Sequence, residues 1–279
     1  MNSDVCRGFI NIDEGQIHYR TYGSENNPPL VMLHGSPLSA FAIESLIISM
    51  GKYFKVYAPD TIGNGDSCAQ GTFPVTIEYL ADAMLRAMSK LNLSNFYLYG
   101  FHTGGNIGIE AAIKNPKMVK KLIIDGLGLY DEDYKKKLIK NQAPEIQPDH
   151  EGTQFLKAWH LIRDGKIFWP WWNRTNDGSR GLGLPSEIDL HNEVMELLKS
   201  ITTYHHNYRA ALDYNKKPRL KLIKIPVLVM ASENDILLPF LDEATKLIPG
   251  GQSAICGDPK TEIGREKTVE ISRKFFLST

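Results

Sequence analysis

The sequence predicts an α/β protein, a mostly parallel sheet flanked by helices and interrupted by one helical insertion. Three observations carry this reading. Short all-apolar runs recur, the first being Leu30-Val31-Met32-Leu33, and such runs suit strands buried on both faces. Stretches of helical spacing separate them, clearest from Thr76 to Leu91, where Ile77, Leu80, Ala81, Met84, Met88 and Leu91 share one face. Between about 131 and 216 the strand-like runs stop, and all four tryptophans (Trp159, Trp169, Trp171, Trp172) fall there. Strands that alternate with helices pack as a parallel sheet with helices on its faces.

In chain order, residues 8–22 alternate as a hairpin does, with Gly15 at its turn. Strands follow at 30–33 and 54–58, with a helix over 40–50 between them. After the helix at 76–91 come a strand at 96–99, a small-residue helix through Ala112, and a strand at 119–124. The chain then divides: residues 1–130 and 217–279 form the core, and 131–216 a helical cap over the sheet. Within the cap, helices are expected around 152–164 and 188–212, and Lys135-Lys136-Lys137 reads as a solvated turn. The sheet pattern resumes at Leu222 with a strand over 227–230, and a helix over 268–277 closes the chain.

Composition narrows the function classes. The 279 residues carry 32 Lys+Arg against 32 Asp+Glu, a net charge of zero, which lacks the basic excess that offsets phosphates in nucleic-acid binders. No apolar run approaches the roughly 18–20 residues of a membrane span. Met1 to Arg7 has no basic-then-apolar leader. Cys6, Cys68 and Cys256 are odd in number and scattered, which supports neither a disulfide framework nor a zinc site. No His-Glu-x-x-His or similar metal spacing occurs. The expectation is a cytoplasmic monomer or homodimer that works on a small molecule, without metal, cofactor, nucleic-acid or membrane partner.

Four motifs then appear in order. His34-Gly35-Ser36-Pro37 follows the first buried strand, and Asp60-Thr61-Ile62-Gly63-Asn64-Gly65-Asp66-Ser67 follows the second. Gly100-Phe101-His102-Thr103-Gly104-Gly105 lies between a strand and a helix, the setting of a strained nucleophile elbow. Ala231-Ser232-Glu233-Asn234-Asp235 ends a later strand. With these motifs the sequence resembles the α/β-hydrolase family over nearly the whole chain. The resemblance implies an oxyanion loop at 34–37, with the backbone N–H groups of Ser36 and Thr103 as oxyanion donors. It places the catalytic acid at Asp235 and the cap before the last strands.

The departures from that pattern matter more. The family's elbow usually holds Ser, Cys or Asp; here it holds His102. The family's general base is a histidine in the loop before the last helix, which here reads Ile255-Cys256-Gly257-Asp258-Pro259-Lys260. No histidine follows His206, so the usual Ser-His-Asp triad cannot form. Because an imidazole reaches farther than a hydroxymethyl, His102 can bond Asp235 directly, as a two-residue acid–base unit. A covalent nucleophile and a ligand-contacting relic are the other roles open to His102. Candidate pocket residues are His34 and Phe101 on the core, with Trp159, His160, Arg163, Trp169, Trp172 and Tyr204 on the cap. His205-His206, adjacent on a helix, should point apart. The leading expectation is acid–base chemistry on a small, largely apolar carbonyl compound such as an ester or lactone, by hydrolysis or by a lyase or isomerase step. The rival is a catalytically inactive ligand-binding protein that keeps the pocket.

Overall fold

The computed structural model describes residues 5–278; the leader reading rests largely on residues outside that range. Eight strands form one sheet: β1 (Cys6–Ile12), β2 (Gly15–Tyr22), β3 (Pro29–Leu33), β4 (Lys55–Pro59), β5 (Phe96–Phe101), β6 (Val119–Asp125), β7 (Val227–Ser232) and β8 (Gln252–Cys256). Their order is β1-β2-β4-β3-β5-β6-β7-β8. β1 and β2 form the hairpin, β2 pairs antiparallel with β4, and every pairing from β4 to β8 is parallel. The expected α/β architecture is present.

The helices are α1 (Glu44–Met50), α2 (Ile77–Lys90), α3 (Thr103–Lys114), α4 (Glu132–Asn141), α5 (Thr153–Ile167), α6 (Glu187–Lys199), α7 (Tyr204–Asp213), α8 (Lys216–Leu220), α9 (Leu241–Lys246) and α10 (Glu262–Leu277). α2 starts where Thr76 accepts a hydrogen bond from the Tyr79 amide, a side-chain cap, and its apolar stripe is buried against the sheet. α1 and α10 supply part of the apolar layer on the opposite face, through residues such as Leu46, Ile47, Val269 and Phe276. α3 lies so close to the sheet that a Cβ at Gly104 would stand 2.4 Å from the Leu33 carbonyl oxygen. The small residues after His102 are therefore a packing requirement.

Between β6 and β7 the described residues contain no strand of the sheet. The helices there bury a core of their own, including Ile146, Leu161, Ile162, Val194, Leu197 and Tyr204. Polar bonds tie this layer to the loops at the carboxyl ends of the strands. The Asn207 amide donates to Ile62 O at 2.7 Å and to Asn64 Oδ1 at 2.6 Å, and Thr203 Oγ1 donates to Gly63 O at 2.9 Å.

Several element expectations need correction. β8 was not foreseen, because Gln252 and Ser253 are exposed at a sheet edge and break the apolar run. The stretch 188–212 is two helices, broken at Ser200–Thr203, where the Tyr204 amide turns back to Ser200 O. Lys135-Lys136-Lys137 lies inside α4, anchored by the buried Leu138 and capped by Asp131. The strand expected over 227–230 is present as β7 and runs on to Ser232, whereas the closing helix begins at Glu262, ahead of the expected 268. Among the described residues, no helix is long and apolar enough to cross a membrane.

Candidate active site

His102 sits at the corner between β5 and α3 with φ 49° and ψ −106°. A non-glycine residue in that region carries strain of about 1–3 kcal/mol. The corner is held by the backbone: the His102 amide donates to Asp125 O at 2.9 Å, and the Gly105 amide donates to His102 O at 2.9 Å. The ring of Phe101 stacks on the imidazole, with centroids 4.0 Å apart and planes 18° from parallel.

The turn aims the imidazole at the loop after β7. His102 Nε2 lies 2.8 Å from Asp235 Oδ2, and Asp235 Oδ1 accepts the Leu237 amide at 2.8 Å. The Asp235 side chain is 7% exposed and that of His102 is 28% exposed. His102 Nδ1 has no partner among the described residues. Burial resists protonation of His102, but the charge and hydrogen bond of Asp235 outweigh it, so the imidazole sits above its ordinary 6.5. Burial likewise pushes Asp235 up, yet the facing imidazole, the Leu237 amide and Arg180 leave it below the ordinary carboxylate range.

Gly126, just past β6, makes this contact possible, and nothing in the sequence reading singled it out. It has φ +78°, and a Cβ there would lie 2.5 Å from His102 Cδ2, 2.6 Å from Nε2 and 3.1 Å from Asp235 Oδ2. The only sequence signal is a glycine closing an apolar strand. Beneath it, the buried Asp125 accepts a hydrogen bond from the Tyr99 hydroxyl, while the Cys256 thiol lies 3.7 Å away. Burial pushes Asp125 up to about 7, against the Tyr99 bond and together with the Asp235 charge.

The Ser36 amide donates to Thr103 Oγ1 at 3.3 Å, so the two residues expected to hold an oxyanion are neighbours. Ser36 Oγ is buried without a partner. A cleft of about 300 Å³ opens on the Asp235 side, lined by residues including Trp169, Asp177, Arg180, Glu233, Asn234 and Asp235, whereas Ser36, Phe101, His102 and Thr103 are not part of its lining.

Residues 28–159 match the family model for the α/β hydrolase fold. The fold is that of the α/β hydrolases. Over 125 residues it is 26% identical to haloalkane dehalogenase 2 of Mycobacterium tuberculosis, covering 45% of this chain and 43% of that protein. The chain thus spans under half the length of the first curated relatives it matches. A longer match, 23% identical over 262 residues, joins 88% of this chain to 87% of the proline iminopeptidase of Flavobacterium johnsoniae. Among solved structures, the enol-lactonase of Burkholderia xenovorans superposes with a TM-score of 0.75 at 17% identity, over 97% of this chain and 100% of that one.

Within the α/β-hydrolase fold, the structure relocates most of the expected pocket residues. His34 is buried, with Nδ1 3.0 Å from Gly35 O and Nε2 accepting the Thr61 amide at 3.0 Å, so its ring holds loops together. Tyr204 is fully buried in the insertion and donates to Pro144 O at 2.5 Å, and it is not part of the cleft beside Asp235. Trp159 packs against the same inner core, and Trp172 is 37% exposed and lines no part of the cleft. His160 and Arg163 share a helix face as expected, but the face closes on the buried Asp164. Arg163 Nε donates to Asp164 Oδ1 at 2.7 Å, with His160 Nδ1 3.1 Å from Arg163 Nη2 and Arg174 2.8 Å from the other carboxylate oxygen. Of the residues of the insertion expected at the pocket, Trp169 alone lines the cleft that holds Asp235. The rings of His205 and His206 do not point apart; their centroids are 4.0 Å from each other. One other cluster among the described residues, His18 with Asp60 and Asp66, has its carboxylates close enough for a metal. Arg7 and Lys199 already neutralise it, Arg7 Nε donating to His18 Nε2 at 2.9 Å and Lys199 lying 3.1 Å from Asp66.

Proposed function

We propose that this chain catalyses acid–base chemistry on a small carbonyl compound, an ester or lactone, with His102 as general base and Asp235 as its partner. The observation that carries this is the 2.8 Å contact between His102 Nε2 and Asp235 Oδ2, with Nδ1 left unpartnered. A carboxylate on Nε2 fixes the tautomer with hydrogen on that nitrogen, which leaves the Nδ1 lone pair to take a proton. In hydrolysis, Nδ1 removes a proton from water as the water oxygen attacks the carbonyl carbon. The amides of Ser36 and Thr103 receive the oxyanion, and the Nδ1 proton passes to the leaving oxygen as the C–O bond breaks. Asp235 stabilises the imidazolium throughout. The same base supports proton abstraction for a lyase or isomerase step. Residues 131–216 act in this reading as a cap, with Trp169 as its contribution to the pocket. The charged residues of the cleft favour a more polar substrate than the largely apolar carbonyl compound expected from the sequence.

A binding-only reading has one observation in its favour: the Ser36 amide already spends its hydrogen on Thr103 Oγ1. Assay on a panel of esters and lactones, together with fluorophosphonate labelling, separates the readings. Among the described residues no serine pairs with a positioned histidine, so the probe should leave every serine unlabelled. Activity should rise with pH through a limb above 6.5, because the base must be neutral and Asp235 raises its midpoint. Stoichiometric labelling of a serine near the elbow refutes the His102 assignment. Ligand binding without turnover across the panel supports the binding-only reading.

A further inference from the structure

The helical insertion meets the His102–Asp235 pair through Arg180. Its backbone amide donates to Ile167 O at 2.9 Å, which pins it beside the end of α5. Its guanidinium then reaches two carbonyls on separate parts of the chain. Nη1 donates to Gly165 O in α5 at 3.0 Å, and Nη2 donates to Asn234 O, one residue before Asp235, at 3.3 Å. Arg180 lines the same cleft as Trp169 and Asp235 and takes part in no ion pair among the described residues.

We propose that Arg180 is a positioning residue that fastens the insertion to the Asp235 loop and sets a fixed positive charge beside the His102–Asp235 pair. This rests on the acid–base reading above for its catalytic meaning, though not for its geometry. A planar fork suits the task, since one guanidinium can donate in two directions at once and stays charged at every working pH. An ammonium has no such fork.

The charge has a consequence for the base. His102 faces Asp235 and Asp125, which favour its protonated form, and Arg180, which opposes it. Arg180 in turn faces Asp235 and Asp258, the latter in the loop where the usual histidine is missing. Burial opposes the protonated imidazole and the two carboxylates favour it, and a protonated imidazole is unavailable as a base. The guanidinium pulls the balance back without itself accepting a proton.

The test uses the full chain with Arg180→Gln and Arg180→Lys, read by NMR titration of His102 and by the pH profile of kcat/KM. The Gln variant should raise the His102 midpoint by roughly 0.3–1 unit, and the acid limb should move by the same amount in the same direction. The Lys variant keeps the charge and loses the fork, so its midpoint should stay nearer the parent's while kcat falls. A Gln variant that folds and titrates like the parent overturns the assignment. So does loss of the fold in both variants, which would make Arg180 a structural tie alone. Should no substrate be turned over while the NMR shift appears, the positioning role stands and the catalytic reading falls.

Discussion

Replacing His102 by alanine is expected to lower kcat/KM for any substrate found by about 10²–10⁴-fold, the usual worth of a positioned general base. The fold should persist. Alanine at φ 49° bears a backbone cost similar to that of histidine, and the removed ring packs on Phe101 at a partly open site. Ligand affinity should stay within a few-fold of the parent, because Trp169 and the rest of the cleft remain. Steady-state kinetics beside calorimetric binding checks this. A variant that turns over as the parent does removes His102 from the chemistry, and one that also loses binding makes it a ligand contact.

Gly126→Ala carries the second large effect, from a residue that touches no substrate. The new methyl would occupy the space now held by the His102 ring edge, 2.5–2.6 Å from its atoms, at a backbone angle that L side chains avoid. The left-handed conformation alone costs about 1–2 kcal/mol, which thermal melting reads as a lowered Tm. The ring cannot keep both its corner and its carboxylate, so activity should fall toward that of His102→Ala. Retained activity with an unchanged Tm would mean that the contact tolerates displacement, and the dyad would then carry little of the rate.

What could be read in the sequence follows from which interactions are local. Strands such as 30–33 and the 122–124 run of β6 announce themselves because both faces are buried, and the elbow announces itself because strand and helix approach too closely for side chains. The edge strand 252–256 was silent, since exposure lets Gln252 and Ser253 stand where the apolar pattern should continue. The break at Ser200–Thr203 was hidden because the apolar spacing of the two helices runs on across it. Helical periodicity correctly grouped His160 with Arg163, but periodicity names a shared face and not what it meets; here it meets Asp164. The approach of His102 to Asp235 was open to inference because an empty position had to be spanned. Gly126 and Arg180 were not, since each acts only once distant loops are folded against it.

The acid–base pair itself is tested most directly by the His102 titration in the parent chain and in Asp235→Asn, followed by histidine-selective NMR. In the parent the midpoint should lie above 6.5, because the Asp235 charge outweighs burial. In the variant the charge is gone and burial remains, so the midpoint should drop below that of the parent, with the limb of kcat/KM moving down beside it. A His102 midpoint at or below its ordinary value in the parent, unmoved by Asp235→Asn, would contradict the account.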